Sequence, residues 1–247
     1  MVEEHRSLEA LWQRQTPLIS EESSFDPNRD HQIPKAQPGT PTIVHPLAFL
    51  VGPVQVTYDG DVSQNKAIDF SAHLNFQQQT ITSITTEITW DYGQGICLLN
   101  SPKAQGASGF LQTRGAIKLK DLTITAGNAY ATVMVAAMDD QPLAQSKRIL
   151  VQVGTTARPT DWQQKPAQWT DGQGAPHQGY EVVSYGKPPW QVANTDVLLQ
   201  LSHSAIRRAQ ALDMNGMAQA DIPIQRQGGE IKLRLPPNTM YAILTTD

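Results

Sequence analysis

Four aromatic side chains in one part of the chain have the chemistry to bind a ligand. Trp162, Trp169, Tyr185 and Trp190 lie in or beside residues 156–179, where proline and glycine are frequent and aliphatic residues are few. The rings of Trp and Tyr stack well on flat apolar surfaces such as the faces of sugars. Exposed rings in a β-rich protein therefore indicate carbohydrate contact. The alternative is that each ring covers an apolar seam inside the protein.

The sequence predicts no catalytic, metal-binding or cofactor-binding residue. Ser202 and His203 are neighbours in sequence, which does not make a catalytic triad, and no Gly-x-Ser-x-Gly motif is present. The six histidines lack the spacing of a metal site. Cys97, the one cysteine, cannot form an intrachain disulfide, and its neighbours Ile96 and Leu98 favour a small buried apolar side chain.

Composition narrows the class of protein. The 247 residues can form one large domain or two small ones, and only 17% of them are charged. A net charge of −4 without a cluster of Lys and Arg excludes a nucleic-acid partner. No apolar run approaches the ~20 residues needed to span a bilayer. We therefore expect no membrane span. The opening MVEEHRSLEALWQRQ lacks the apolar core of a signal peptide, and we assign no compartment.

The elements that position these residues have the signature of β-strands. Apolar and polar residues alternate over 84–92, which assigns Trp90 to the core, and the apolar run 96–99 predicts a central strand. Near the end of the chain, residues 231–235 alternate in the same way, with Ile and Leu expected inward and Lys and Arg outward. Short strand patterns separated by turns are typical of all-β proteins.

We therefore predict an all-β protein with two β-sandwich domains in tandem. An N-terminal extended segment with a short helix is expected at 1–41, the first sandwich at 42–155 and a second, smaller sandwich at 180–247. Residues 156–179 are expected to form a linker or crossing loop, because they are rich in proline and glycine. Fewer than about a tenth of the residues should be helical, against about a third in ordinary globular proteins.

Two stretches resemble a known family. ITWDYGQGICLLNSPKAQGASGFL and AYATVMVAAMDDQPLAQSKRILVQVGTTARPTDW are similar to the β-sandwich region after the catalytic barrel in large bacterial proteins related to glycoside hydrolases. DMNG and IKLRLPPNTMYAIL resemble the closing β domain of such enzymes, so the resemblance covers about 44–247. It implies a non-catalytic ancillary module whose partner is a polysaccharide or a glycosidase catalytic domain. It also implies an extracytoplasmic location if the chain is part of a larger secreted glycosidase.

The alternative is a truncated or divergent glycoside hydrolase that acts on a polysaccharide. Residues 18–28 resemble the end of a barrel strand with a nucleophilic glutamate, which would be Glu21 or Glu22. Only about twenty residues precede them, whereas a barrel needs about 200 or more. A glycosidase also needs two facing carboxyl groups, roughly 5 to 10 Å apart. We therefore expect that this chain alone is not an enzyme.

Overall fold

The computed structural model describes residues 2–5, 48–58, 66, 70–172 and 174–247. Most of these residues are in β-strands, which confirms the all-β prediction. Helix in the described residues is limited to α1 (Ala48–Val51) and three short 3₁₀ segments, Phe70–His73, Leu111–Arg114 and Leu143–Gln145. Apart from residues 2–5, the predicted N-terminal segment lies outside the described residues, and so do Glu21 and Glu22.

The strands fall into two large sheets and two small ribbons. In chain order they are β1 (Val2–His5), β2 (Val54–Thr57), β3 (Leu74–Asn75), β4 (Thr80–Thr82), β5 (Ile88–Asp91), β6 (Ile96–Asn100), β7 (Ala104–Gly109), β8 (Ala116–Lys118), β9 (Leu122–Ala126), β10 (Ala131–Ala137), β11 (Arg148–Thr155), β12 (Ala157–Thr170), β13 (Pro176–Val192), β14 (Val197–Leu201), β15 (Arg208–Leu212), β16 (Ala218–Asp221), β17 (Gln225–Gln227), β18 (Glu230–Arg234) and β19 (Tyr241–Thr245). The larger sheet has the order β16-β15-β19-β11-β10-β7-β6-β5-β4-β3, and the smaller has β17-β18-β14-β9-β8. β1 pairs with β2 in one ribbon, and β12 pairs with β13 in the other.

Strands from the two halves of the chain pair with one another. β11 lies between β10 and β19, with Val151 opposite Ala242, and β14 pairs with β9, with Leu199 opposite Ile124. Both large sheets therefore contain strands from before and after residues 156–179. This topology does not confirm two sandwiches in tandem. The sequence pattern marks which faces of a strand are covered, but it does not specify which distant strand lies beside it.

One apolar core lies between the inner faces of the two sheets. Val133, Val151 and Leu244 from the larger sheet belong to the same cluster as Leu199 and Leu233 from the smaller sheet, and each is at most 3% exposed. β18 shows the expected alternation, since Ile and Leu at positions 231 and 233 are buried while Lys and Arg at 232 and 234 are exposed. Burial of each such side chain contributes about 1.5 to 3 kcal/mol to folding.

The prediction that Trp90 belongs to the core is wrong. Trp90 is 40% exposed, and Asp91, the next residue of β5, is 8% exposed. One Asp91 carboxylate oxygen accepts a hydrogen bond from the Gln94 backbone N–H at 3.0 Å, which ties this side chain to the turn after β5. Cys97 lies opposite Trp90 and is only half-buried. Alternation in β5 therefore pointed to the wrong face, because a hydrogen bond to the turn makes burial of the polar Asp91 favourable.

Buried polar groups bridge distant parts of the sandwich. The Gln105 side chain is fully buried, donates to an Asp121 carboxylate oxygen at 2.8 Å and accepts from the Asp121 backbone N–H at 2.9 Å. His203 is 2% exposed, and its Nε2 lies 2.8 Å from the Ser146 carbonyl oxygen. A buried polar group without a partner would be destabilising, so these contacts favour one specific arrangement of the loops.

A shared core predicts one unfolding transition. Replacing the buried Leu244 by alanine should cost about 2 to 5 kcal/mol and shift the whole transition, because Leu244 packs in the cluster common to both sheets. Circular dichroism and tryptophan fluorescence during urea unfolding measure it. Met217→Ala, at a side chain that is 64% exposed, is the control and should change stability by less than about 0.5 kcal/mol. Two separate transitions, only one of them shifted by Leu244→Ala, would contradict a common core.

The turn between β15 and β16 predicts a pH-dependent contribution. Asp213 Oδ1 accepts backbone hydrogen bonds from Met217 and Asn215, both at 2.8 Å, and the Met217 bond is the main cause that lowers the pKa of this carboxyl below 3.8. Its stabilising effect is therefore present above the unfolded-state pKa and is lost as pH falls through the lower folded-state pKa. Asp213→Ala should lower the melting temperature at neutral pH, and the difference from wild type should narrow as the pH falls below the ordinary carboxyl range and the carboxylate is protonated. Asp213→Asn keeps an acceptor oxygen and should have a smaller effect. If Asp213→Ala lowers the melting temperature equally at neutral and at acidic pH, the charge of the carboxylate is irrelevant.

Candidate functional site

Residues 157–192 form a long β-ribbon outside the sandwich. β12 and β13 pair only with each other in the described part of the chain, and every residue of both strands is exposed or half-buried. At 14 residues, β12 alone spans about 45 Å. At the base of the ribbon, the Ala193 backbone N–H donates to the Thr156 carbonyl at 2.9 Å. The segment expected to be a linker is thus β12 together with the start of β13.

Trp162 and Tyr185 are cross-strand partners on one face of the ribbon, called here the Trp162 face. Their ring centroids lie 6.0 Å apart at an interplanar angle of 80°, an edge-to-face contact. The Arg158 guanidinium carbon lies 5.1 Å from the centre of the Trp162 ring, a contact typically worth about 0.5 to 1 kcal/mol at exposed sites. Trp162 Nε1 donates to Gln164 Oε1 at 3.0 Å. Tyr185 remains 76% exposed, so one of the two rings is open to a ligand.

Trp169 lies on the opposite face, near the tip of the ribbon. It lies seven positions after Trp162 in β12, an odd offset, and successive side chains of a strand point to opposite faces. Its ring stacks on His177 with centroids 5.8 Å apart, and His177 Nε2 lies 2.9 Å from an Asp171 carboxylate oxygen. A Cβ atom at Gly179 would lie 2.8 Å from Trp169 Cη2, so the absence of a side chain there leaves room for the indole. Trp169 is 51% exposed.

Trp190 lies close to the base of the ribbon. It is opposite Pro159 and is 67% exposed. Arg158, which precedes Pro159, contacts Trp162, so the alternation of side chains puts Trp190 on the face opposite Trp162. Of the four residues expected to contact carbohydrate, the structure brings Trp162 and Tyr185 together and leaves Trp169 and Trp190 apart from them. None of the four is buried between the two sheets in the described structure.

A kink separates the base of the ribbon from its outer part. Asp161 and Gly186 both have positive φ, 62° and 67°, and the pairing register shifts between Pro159 and Thr160. A Cβ atom at Gly186 would lie 2.3 Å from the Thr160 carbonyl oxygen, so glycine is required at this close approach. An ion pair of 2.9 Å between Lys187 and Asp161 spans the kink. Because of this kink, the sequence alone does not show whether β13 residues before and after Gly186 lie on the same face of the ribbon.

The edges of the ribbon are poorly suited to pairing with another strand. Pro159 and Pro166 interrupt β12, and Pro188 and Pro189 interrupt β13. Proline offers no backbone N–H to a neighbouring strand, and bulges twist an edge away from a partner. The faces of the ribbon are therefore the surfaces available for binding.

Sequence reasoning missed residues that share the Trp162 face. Tyr180 lies opposite Pro166 and is 65% exposed, and Val182 lies opposite Gln164. Their place depends on the pairing register of the hairpin, including the extra residue Val183 at the second register shift. Only a strand assignment that runs through the prolines would have placed them beside Trp162.

The titratable groups of the described residues do not suggest acid–base catalysis. The carboxyl pKa values with a shift, those of Glu3, Asp139 and Asp213, are all lowered, mainly by hydrogen bonds from Lys66, Lys147 and Met217 respectively. A glycosidase acid needs a raised pKa. Burial raises the pKa of the Cys97 thiol, which keeps it protonated and poorly reactive.

A polar cavity of about 320 Å³ lies on the smaller sheet. Gln200, Gln225, Gln227, Glu230 and Lys232 contribute to its lining, and the Gln200 amide donates to the Glu230 carboxylate. Glu230 is the one carboxylate in this lining. The cavity therefore does not hold the pair of acids that glycoside hydrolysis requires.

Among residues whose positions are described, no three His, Cys, Asp or Glu side chains come together as metal ligands. Within the same residues, no helix has the length and apolar character needed to cross a membrane.

Comparison with protein-family models, with curated proteins and with solved structures found no match. The chemistry of the ribbon is therefore the basis for assigning a function.

The ribbon should be dispensable for folding. Replacing residues 158–191 by Asn-Gly would close the Ala157 and Val192 pair with a two-residue hairpin turn. Because β12 and β13 supply no residue to the core, the melting temperature should change by less than about 4 °C. Circular dichroism melting of the two proteins measures this. Loss of the cooperative transition in the shortened chain would show that the ribbon stabilises the sandwich.

Proposed function

We propose that this chain is a non-catalytic ancillary β-sandwich module that accompanies a glycoside hydrolase and binds polysaccharide through its ribbon. The observation that carries this proposal is the Trp162 and Tyr185 pair, which is held at a fixed edge-to-face angle on an element outside the core. Apolar ring surface of this kind is a ready contact for the flat face of a sugar.

The structure of the pair supports a binding role over a packing role. Trp162 is fixed by the Arg158 guanidinium on one side and by its hydrogen bond to Gln164. Tyr185 is mostly exposed, so its ring does little to stabilise the protein by burial. A ring that is held in place before binding loses little conformational freedom when a ligand stacks on it.

The association with a glycosidase is supported by the resemblance of residues 88–111 and 129–162 to the sandwich region of that family. These residues form β5 to β7 and β10 to β12, so the resembling stretches include the centre of the larger sheet and the start of the ribbon. A module of this kind places the polysaccharide close to a catalytic domain, and weak binding at one site is strengthened when the two are linked.

The contact between Trp162 and Tyr185 predicts which aromatic residues matter for binding. Tyr185→Ala should weaken retardation in a polysaccharide gel by about five- to tenfold, because it removes the open stacking surface. Trp162→Ala should have a similar effect, because it removes the ring that Tyr185 contacts edge to face. Trp90→Ala is the matched control, since Trp90 is 40% exposed on the sandwich and should not affect retardation. Wild-type protein that migrates unretarded through gels of every polysaccharide tested would rule out the binding role.

The chain alone should release no reducing sugar from the same polysaccharides above background. The described acids with shifted pKa are more acidic than usual, which is the wrong direction for a general acid at neutral pH. Turnover that is abolished by Glu21→Gln or Glu22→Gln would instead identify a divergent glycoside hydrolase.

A further inference from the structure

The Trp162 face is uncharged along the outer part of the ribbon. Beyond Trp162 and Tyr185, the cross-strand pairs on this face are Gln164 with Val182, Pro166 with Tyr180, and Gln168 with Gln178. This surface therefore combines aromatic rings, aliphatic groups and primary amides. None of these side chains belongs to Asp, Glu, Lys, Arg or His.

Apart from Arg158, the charged residues of the ribbon lie off this uncharged surface and each contacts a group of opposite charge or a histidine. Residues 157–192 contain three basic residues, Arg158, Lys165 and Lys187, and three acidic residues, Asp161, Asp171 and Glu181. Lys165 pairs with Glu181 at 3.1 Å on the opposite face, and Lys187 pairs with Asp161 at the kink. Asp171 contacts His177 near the tip. Arg158 reaches the Trp162 face only at its base, where its guanidinium covers the indole ring.

This chemistry matches neutral sugars better than charged ones. A glutamine amide both donates and accepts hydrogen bonds, as a sugar hydroxyl does, while the rings contact the C–H face of the sugar. A uronate or sulfate group is recognised by Arg or Lys through charge-assisted hydrogen bonds. Along the uncharged surface, an anionic group would lose water without gaining such a partner.

The surface is also long. From Trp162 to Thr170 the strand spans about 27 Å, at about 3.3 Å per residue. Trp162 and Tyr185 lie at one end of this span, Tyr180 lies within it, and the amides of Gln168 and Gln178 lie towards the tip. A glycan chain lying along the ribbon can therefore contact these groups in succession.

We propose that the ligand of the Trp162 face is an uncharged polysaccharide chain that lies along the ribbon and stacks on Tyr180 as well as on Tyr185, the open ring beside Trp162. This inference rests on the proposed function and names its substrate class. Binding tightens with chain length, because a longer oligosaccharide reaches Tyr180 and the amides beyond it.

The first experiment compares charge classes of ligand with the full chain. Hydroxyethyl cellulose, galactomannan and xyloglucan serve as neutral probes, polygalacturonate as a uronate probe and dextran sulfate as a sulfated probe, in affinity gels at low and high salt. We expect retardation by at least one neutral probe, unchanged by salt, because no counterions are released. Stronger, salt-sensitive retardation by the uronate or sulfated probe would overturn the inference and leave the proposed function standing. Retardation by none of the probes would overturn both.

The second experiment tests whether Tyr180 contacts the glycan and whether the glycan lies along the ribbon. Tyr180→Ala should weaken binding of the best neutral probe by at least about fivefold and remove the gain in affinity between its short and long oligosaccharides. The Lys165→Ala and Glu181→Ala double variant changes the opposite face and is the control, with unchanged affinity. Melting temperature checks that both variants are folded. Unchanged affinity and an unchanged length dependence in Tyr180→Ala would place the glycan elsewhere on the protein.

Discussion

This structure depends on the burial of aliphatic side chains between two sheets. Each sheet is built from strands of both halves of the chain. β11 of the larger sheet and β14 of the smaller sheet are consecutive strands of the sandwich, and the described residues between them add no side chain to the apolar core. The ribbon is therefore built where the chain passes from one sheet to the other. The side chains of β12 and β13 lie outside the core, which leaves them available for contact with a ligand.

An exposed two-stranded ribbon is marginally stable by itself, and local contacts hold this one together. The Trp162 and Tyr185 rings contact across the strands, Trp169 stacks on His177 at the tip, and ion pairs join the strands between and beside them. Prolines limit pairing at the edges, so the faces stay accessible. The same contacts that stabilise the ribbon also fix the orientation of the rings on the proposed glycan surface.

Much of the fold class could be predicted from the sequence, whereas its connectivity could not. The alternation at Ile231 and Leu233 correctly identified an inward face, because period two follows directly from the geometry of a strand. The same rule misplaced Trp90, since in β5 the apolar residues Ile88 and Trp90 are exposed, whereas Asp91 on the polar face is buried and bound to the following turn. Pairing of β9 with β14 joins residues about 75 positions apart, and such long-range pairing leaves no local signal. The aromatic residues of the site were visible in sequence, but their faces depend on register shifts in the ribbon that prolines obscure.

Hydrogen exchange of the backbone amides tests the central claim that the ribbon is a separate binding element. In the free protein, amides of β12 and β13 should exchange much faster than those of β10 and β14, because neither ribbon strand has a buried residue and the inner faces of β10 and β14 lie in the core. With a neutral polysaccharide present, exchange should slow along residues 162–170 and 178–185 and stay unchanged in the sandwich. Slowing confined to sandwich strands, or ribbon amides as protected as the core in the free protein, would contradict the account.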